Sequence, residues 1–100
     1  MDADIQQGKD GRLEVSGDLS FDSVTALWQQ CRARFQERAA LDIDLSGVRR
    51  SDSAGVALLV ACLRQARQSG KTVRFFNMPE QMLALARVSS LDQVLPLQRD

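Results

Sequence analysis

The sequence predicts an α/β fold: a mixed, mostly parallel four-stranded sheet with an N-terminal hairpin and three to four helices. Three observations carry that prediction. Apolar residues recur at every second position in short segments, and at every third or fourth position in the longer segments between them. Gly, Pro, Asn, Asp and Ser sit where the period changes. After the hairpin, strand and helix segments alternate, so the strands joined through helices run parallel, with right-handed crossovers.

The elements follow in order. Ile5 sits in a weak first strand, and Lys9-Asp10-Gly11 reads as a hairpin turn. Arg12-Leu13-Glu14-Val15-Ser16 alternates polar and apolar, the pattern of a half-buried strand, and Gly17-Asp18 ends it. Ser20 is the expected N-cap of the first helix, whose stripe is Phe21, Val24, Leu27, Trp28, Cys31 and Phe35. Arg32, Arg34 and Arg38 suit the negative end of that helix. Leu41, Ile43 and Leu45 alternate with Asp42 and Asp44 in a third strand, which Ser46-Gly47 breaks. A second helix spans about Ser53 to Ser69, with Gly70 as its C′ residue. Thr72 to Phe76 is the fourth strand. Pro79 suits the first position of a third helix that carries Met82, Leu85 and Ala86 on one side. Leu91 to Leu97 reads as a terminal helical turn containing Leu91, Val94 and Leu95.

Composition bounds the function. The 100 residues read as one domain over 1–100, and 44% hydrophobic with 26% charged residues is a globular balance. A formal net charge of zero gives no global drive toward nucleic acid or anionic lipid. The longest apolar run, Val56 to Leu63, is too short to insert across a bilayer. MDADIQQGKD has no basic n-region and no apolar h-region, so the expectation is a cytoplasmic chain without a secretory signal. The absence of His excludes triads and His-metal sites, and neither GxxxxGK[ST] nor GxGxxG occurs. Cys31 and Cys62 lie in apolar helical patterns without metal-ligand spacing and read as reduced core thiols. The reading is therefore a non-enzyme with no cofactor and no metal.

The informative stretch is SDSAGVALLV, residues 51–60. It places Asp52 and Ser53 at a helix N-terminus, before Ala54, Gly55 and a wholly apolar run. In α/β sheets, functional surfaces collect where strand C-termini meet helix N-termini, and residues 46–55 fall there. Ser53 has three readings: a cap, a partner contact, or a phosphate acceptor at the positive end of the helix. Asp52 alone can satisfy the capping need, which leaves one hydroxyl spare. Arg49 and Arg50 flank the same loop, either as solvated charges or as contacts to an acidic partner. In the second helix, Val56, Leu59, Val60, Leu63 and Ala66 share the face expected on the sheet. Ala57, Leu58, Ala61 and Cys62 are then expected on the other side, less polar than one buried face requires. They read either as a docking surface or as a face covered by the third helix or the terminal segment. Trp28 has the core of the first helix as its plain reading.

The order of elements, and LDIDLSGVRRSDSAGVALLV above all, resembles the STAS domain family. LEVSGDLSFDSVTALW, with its helix-borne Trp28, and LALARVSSLDQVLP are similar to the small STAS subunits of phospholipid-transport ABC complexes. The resemblance covers nearly the whole chain. It implies a non-catalytic cytoplasmic subunit, peripheral to the inner membrane, that binds and supports the transporter ATPase within a complex with a permease and an MCE-type lipid-binding protein. It also implies that Trp28 is an interface anchor. The alternative is an anti-sigma-factor antagonist switched by phosphorylation at Ser53. In phospho-regulated STAS proteins the motif usually reads D-S-[ST]-G, and Ala54 departs from it at the usual acceptor.

Overall fold

A computed structural model describes residues 3–8 and 10–100. The strands are β1 (Asp4–Gln7), β2 (Leu13–Leu19), β3 (Ala40–Ser51), β4 (Thr72–Phe76) and β5 (Leu97–Gln98). The helices are α1 (Val24–Glu37), α2 (Ser53–Gln68) and α3 (Glu80–Val88), followed by a 3-10 turn at Leu91–Gln93. One sheet has the order β1-β2-β3-β4-β5. β1 is antiparallel to β2, and every other neighbour pair is parallel. The mixed, mostly parallel α/β sheet is thus as expected, with a fifth strand added. That strand is two residues of the terminal segment, which hydrogen-bond to β4 after the 3-10 turn. Of the expected hairpin turn, Lys9 lies outside the described residues; Gly11 adopts φ +85°, a conformation that favours glycine.

Alternation along the strands makes two layers. Leu13, Val15, Leu41, Ile43, Leu45, Val73 and Phe75 are buried in one core with Leu27, Cys31, Phe35, Leu59, Leu63 and Met82 of the helices. The opposite face of the sheet carries Glu14, Asp42, Asp44 and Arg74. There Arg74 pairs with Asp42 through two bonds of 2.9 Å, and the Arg12 guanidinium lies 3.7 Å from the centre of the Phe76 ring. Arg12 also holds Asp100 through two bonds of 2.7 and 2.9 Å, tying the chain beyond β5 to the head of β2.

Three boundaries differ from the sequence expectation. Strand β2 continues to Leu19, because its pairing with β3 runs on past Gly17-Asp18. Strand β3 continues through Ser46-Gly47 to Ser51, and its register against β2 shifts twice, with β3 carrying the extra residues. Each bulge rephases the strand, so the burial period changes from two to three between Leu45, Val48 and Ser51. A side chain at Gly47 would come within 3.1 Å of Ser16 Cβ, so the glycine serves close strand approach rather than a break. Helix α1 begins at Val24, after a turn in which the Ser20 carbonyl accepts from the Ser23 and Val24 N–H groups. Ser20 is therefore three residues too early to cap it, and Phe21 falls in the turn, 81% exposed and outside the core stripe.

Candidate docking face at the N-terminal end of α2

Residues 51–55 join the end of β3 to α2, and their hydrogen bonds fix that junction. The Asp52 N–H donates to the Leu19 carbonyl at 3.0 Å, holding the junction to the end of β2. The Asp52 carboxylate accepts from the Ala54 N–H at 2.8 Å, so Asp52 is the N-cap. The Ser51 N–H donates to Gln81 Oε1 at 2.9 Å, and Gln81 Nε2 donates to the Ser51 carbonyl at 2.7 Å. The Gln81 amide thus ties the start of α3 to the end of β3. Gly55 is buried, and a Cβ there would run into Ser51 and lie 2.9 Å from Leu19 Cβ. The motif glycine lets the first turn of α2 sit directly on the sheet ends.

Ser53 is the first helical residue, exposed, and its hydroxyl makes no side-chain hydrogen bond among the described residues. Capping is done by its neighbour, which leaves the Ser53 hydroxyl directed to no partner within the domain.

The phase of α2 decides what else is presented. Gly55, Val56, Leu58, Leu59, Cys62, Leu63 and Ala66 are buried. Ser53, Ala57 and Arg64 are exposed, with Ala54, Val60 and Ala61 half-buried beside them. Three sequence expectations change. Leu58 and Cys62, expected outward, are only 7% and 1% exposed, and Val60, expected on the sheet, is half-buried at the surface. The reason is that α2 has two layers of neighbours. It rests on β3 and β4 below and packs against α1 on one flank, so its buried arc is wider than a single stripe and is rotated toward α1. Ala57, by contrast, is where it was expected.

Between α1 and α2 runs a shallow apolar groove of about 300 Å³, lined by Phe21, Val24, Trp28, Ala54, Ala57 and Ala61, with the edge of Leu58 at its floor. Trp28 is half-buried, one side against the core and one in this groove, with the Arg32 guanidinium 5.9 Å from the ring centre. Four of the residues singled out in sequence, Trp28, Ala54, Ala57 and Leu58, therefore share one wall-to-wall surface. Ser53 stands at its α2 end and also lines a second groove, on the α3 side of the helix. Arg49 and Arg50, expected in a loop, are exposed residues of β3 alongside the last residues of β2: Arg49 lies 3.6 Å from Asp18, and Arg50 shares a polar hollow with Asp18, Ser20 and Asp52. The structure does not bring them into the Trp28 groove.

The sequence reading missed Phe21, because an apolar residue just after Ser20 fits a helical stripe by period alone. It also missed the second groove, whose far wall is Leu85 and Leu91.

Among the described residues no three acidic, Cys or His side chains cluster as a metal would need, and no helix is long and apolar enough to cross a membrane. Cys31 and Cys62 are both free and buried, one on α1 and one on α2. The neighbouring Cys31 thiol, and then burial, push the Cys62 thiol well above its ordinary range. That keeps it protonated and unreactive.

The family model described as "Mlab, STAS domain" matches residues 3–97. The chain belongs to this family. Over 94 residues it is 36% identical to the intermembrane phospholipid transport system binding protein MlaB of Haemophilus influenzae, spanning 88% of this chain and 89% of the relative. Among solved structures, a chain of the Acinetobacter MlaFEDB complex in an ATP-bound conformation superposes with a TM-score of 0.81 at 27% identity, covering 95% of this chain and 99% of that one. An anti-sigma factor antagonist from Mycobacterium paratuberculosis superposes with a TM-score of 0.77 at 23% identity over 95% of this chain and 82% of that one. That likeness shows the shared STAS fold and nothing finer. In this MlaB-family STAS domain, α2 thus forms one wall of the apolar groove and presents the exposed motif hydroxyl at its N-terminus.

Proposed function

We propose that this chain is the non-catalytic STAS subunit of a phospholipid-transport ABC complex, binding and supporting its ATPase from the cytoplasmic side of the inner membrane. The single observation that carries the docking mode is the apolar surface of Phe21, Trp28, Ala54 and Ala57 beside the exposed Ser53. A soluble monomer gains nothing by leaving a phenylalanine 81% exposed next to a half-exposed tryptophan. Aromatic anchors with small residues between them let a second helix approach closely and bury both rings. The names of the MlaB relative and the MlaFEDB structure supply the partner: an intermembrane phospholipid transporter.

The chain's part is mechanical. Its sheet and the Asp52, Gly55 and Gln81 junction hold α2 rigidly, so the docking face is preformed and binding costs little ordering. Binding favours the folded, assembly-competent form of the ATPase by mass action. ATP hydrolysis belongs to the partner, and lipid movement to the permease and an MCE-type lipid-binding protein. A second reading, an anti-sigma-factor antagonist, draws on the exposed Ser53 hydroxyl at a helix N-terminus, where a phosphate is electrostatically favoured. Ala54 in place of the second hydroxyl, and the MlaB family, favour the first.

The test is direct. The chain is mixed with the purified ATPase subunit of its own organism's phospholipid transporter and passed over a sizing column. Co-elution, together with ATPase activity that persists longer at growth temperature than that of the ATPase alone, is expected. Separate elution with unchanged ATPase lifetime contradicts the proposal.

A further inference from the structure

We propose that Cys31 and Cys62 form a dithiol site that a peroxide closes into a disulfide, cross-linking α1 to α2 beneath the Trp28 groove. The inference concerns the core between the two helices and stands whether or not the docking reading holds. Both thiols are free and buried, 3% and 1% exposed. Because β2, β3 and β4 run parallel, α1 and α2 return in the same direction, and they pack directly against each other. Trp28 of α1 and Leu58 of α2 line one groove. One turn further along each helix stand Cys31 and Cys62, both on the buried side, so the helix phase brings them to the same level of the seam. Each thiol is in turn the strongest influence on the other's proton affinity.

The two sulfurs divide the chemistry. The neighbouring Cys62 thiol holds Cys31 below its ordinary range against the opposing effect of burial, and Arg34 adds to it. Cys31 is therefore the nucleophile, while Cys62 keeps its proton and is inert toward an oxidant on its own. A site this closed admits hydrogen peroxide and excludes a bulky disulfide. In the first step the Cys31 thiolate attacks one peroxide oxygen. An S–O bond forms, the O–O bond breaks, and the departing hydroxide takes up the proton that Cys31 released, leaving as water. In the second step the Cys62 sulfur attacks the Cys31 sulfenic acid. The S–S bond forms, the S–O bond breaks, and hydroxide leaves with the Cys62 proton as a second water. The two sulfurs give up two electrons and the peroxide gains them. The bridge closes a loop that includes β3 and fixes the spacing of the helices that wall the Trp28 groove. A dithiol reductant returns the pair to the free thiols seen in the structure.

The experiment treats the full, reduced chain with hydrogen peroxide in the absence of denaturant. Catalase stops the reaction, iodoacetamide in urea blocks the remaining thiols, and the digest is read by mass spectrometry. The peptides holding Cys31 and Cys62 are expected linked within one chain and lighter by two hydrogens, both thiols disappearing together and returning with dithiothreitol. Cys62→Ser is expected to leave a sulfenic acid on Cys31 that dimedone captures. Cys31→Ser is expected to slow oxidation of Cys62 at least tenfold. The bridged chain is expected to unfold at a higher urea concentration than the reduced one, since the cross-link restricts the unfolded chain. If a serine variant does not fold by circular dichroism, the wild-type measurements decide alone. Free thiols in the folded wild-type chain, after a treatment that bridges the same chain in urea, overturn the proposal. So do bridges formed only between chains, and so does a bridged chain that unfolds at lower urea than the reduced one.

Discussion

Gly55 lies so close to Ser51 that the first turn of α2 has no room for a side chain there: any Cβ would strike the serine and sit 2.9 Å from Leu19 Cβ. The glycine of the motif is thus a packing residue. It brings the helix N-terminus onto the ends of β2 and β3 and fixes where Ser53 emerges.

Gly55→Ala should therefore destabilise the domain, although alanine is the better helix former. Overpacking of this kind costs about 1–3 kcal/mol. Urea denaturation followed by circular dichroism checks it. An unchanged or raised midpoint would show that Ser51 and Leu19 yield freely.

Ser53 and Asp52 should separate cleanly. Asp52→Ala removes the cap and should cost about 1 kcal/mol. Ser53→Glu should melt close to wild type, since the residue is exposed and a carboxylate suits the helix N-terminus. It should nevertheless fail to co-purify with the ATPase and leave cells sensitive to detergent and chelator. Thermal melts and a pull-down on the same two variants check both halves.

Leu58 and Ala57 are adjacent but should behave oppositely. Leu58→Asp places a carboxylate in the seam between α1 and α2 and should unfold the domain, because an unpartnered buried polar group costs roughly 2–7 kcal/mol. Ala57→Asp should cost less than about 1 kcal/mol, the propensity difference at an exposed helical site, and abolish ATPase binding. Equal stability of the two variants would contradict the observed helix phase.

This last pair marks how far the sequence could be read. The order of the first four strands and three helices followed from period, and the placement of Asp52, Ser53 and Ala57 from the local signatures of a cap and a small-residue face, whereas the two-residue β5 had no signature in the terminal segment. The outward placement of Leu58 did not survive, since a period fixes which residues share a face but not how far a neighbouring helix rotates that face. The extension of β3 to Ser51 was hidden for a similar reason: bulges break the two-residue period, and Ser46-Gly47 looks like a stop. Phe21 looked like core because nothing local distinguishes a turn residue after Ser20 from a first helical residue.

The Arg12–Asp100 clasp predicts an acid-sensitive element far from α2. Hydrogen bonds from Arg12, and then Asn77, hold the Asp100 carboxyl down from its ordinary 3.8 to about 2. A lowered folded-state value means the clasp contributes fully above the ordinary aspartate range and is lost as pH falls from about 4 toward 2. NMR titration of the Asp100 carboxyl should give a midpoint near 2 in the wild type and a clearly higher one in Arg12→Met, still held below 3.8 by Asn77. Identical midpoints would remove the clasp.

Docking of the outward face of α2 on the ATPase is tested most directly by cross-linking. A photo-cross-linking residue is placed at Ala57, and in a second variant at Glu14 on the opposite, polar face of the sheet, and each is irradiated with the purified ATPase subunit. A covalent adduct with the ATPase is expected from position 57 and none from position 14. An adduct from position 14 with none from position 57 would contradict it.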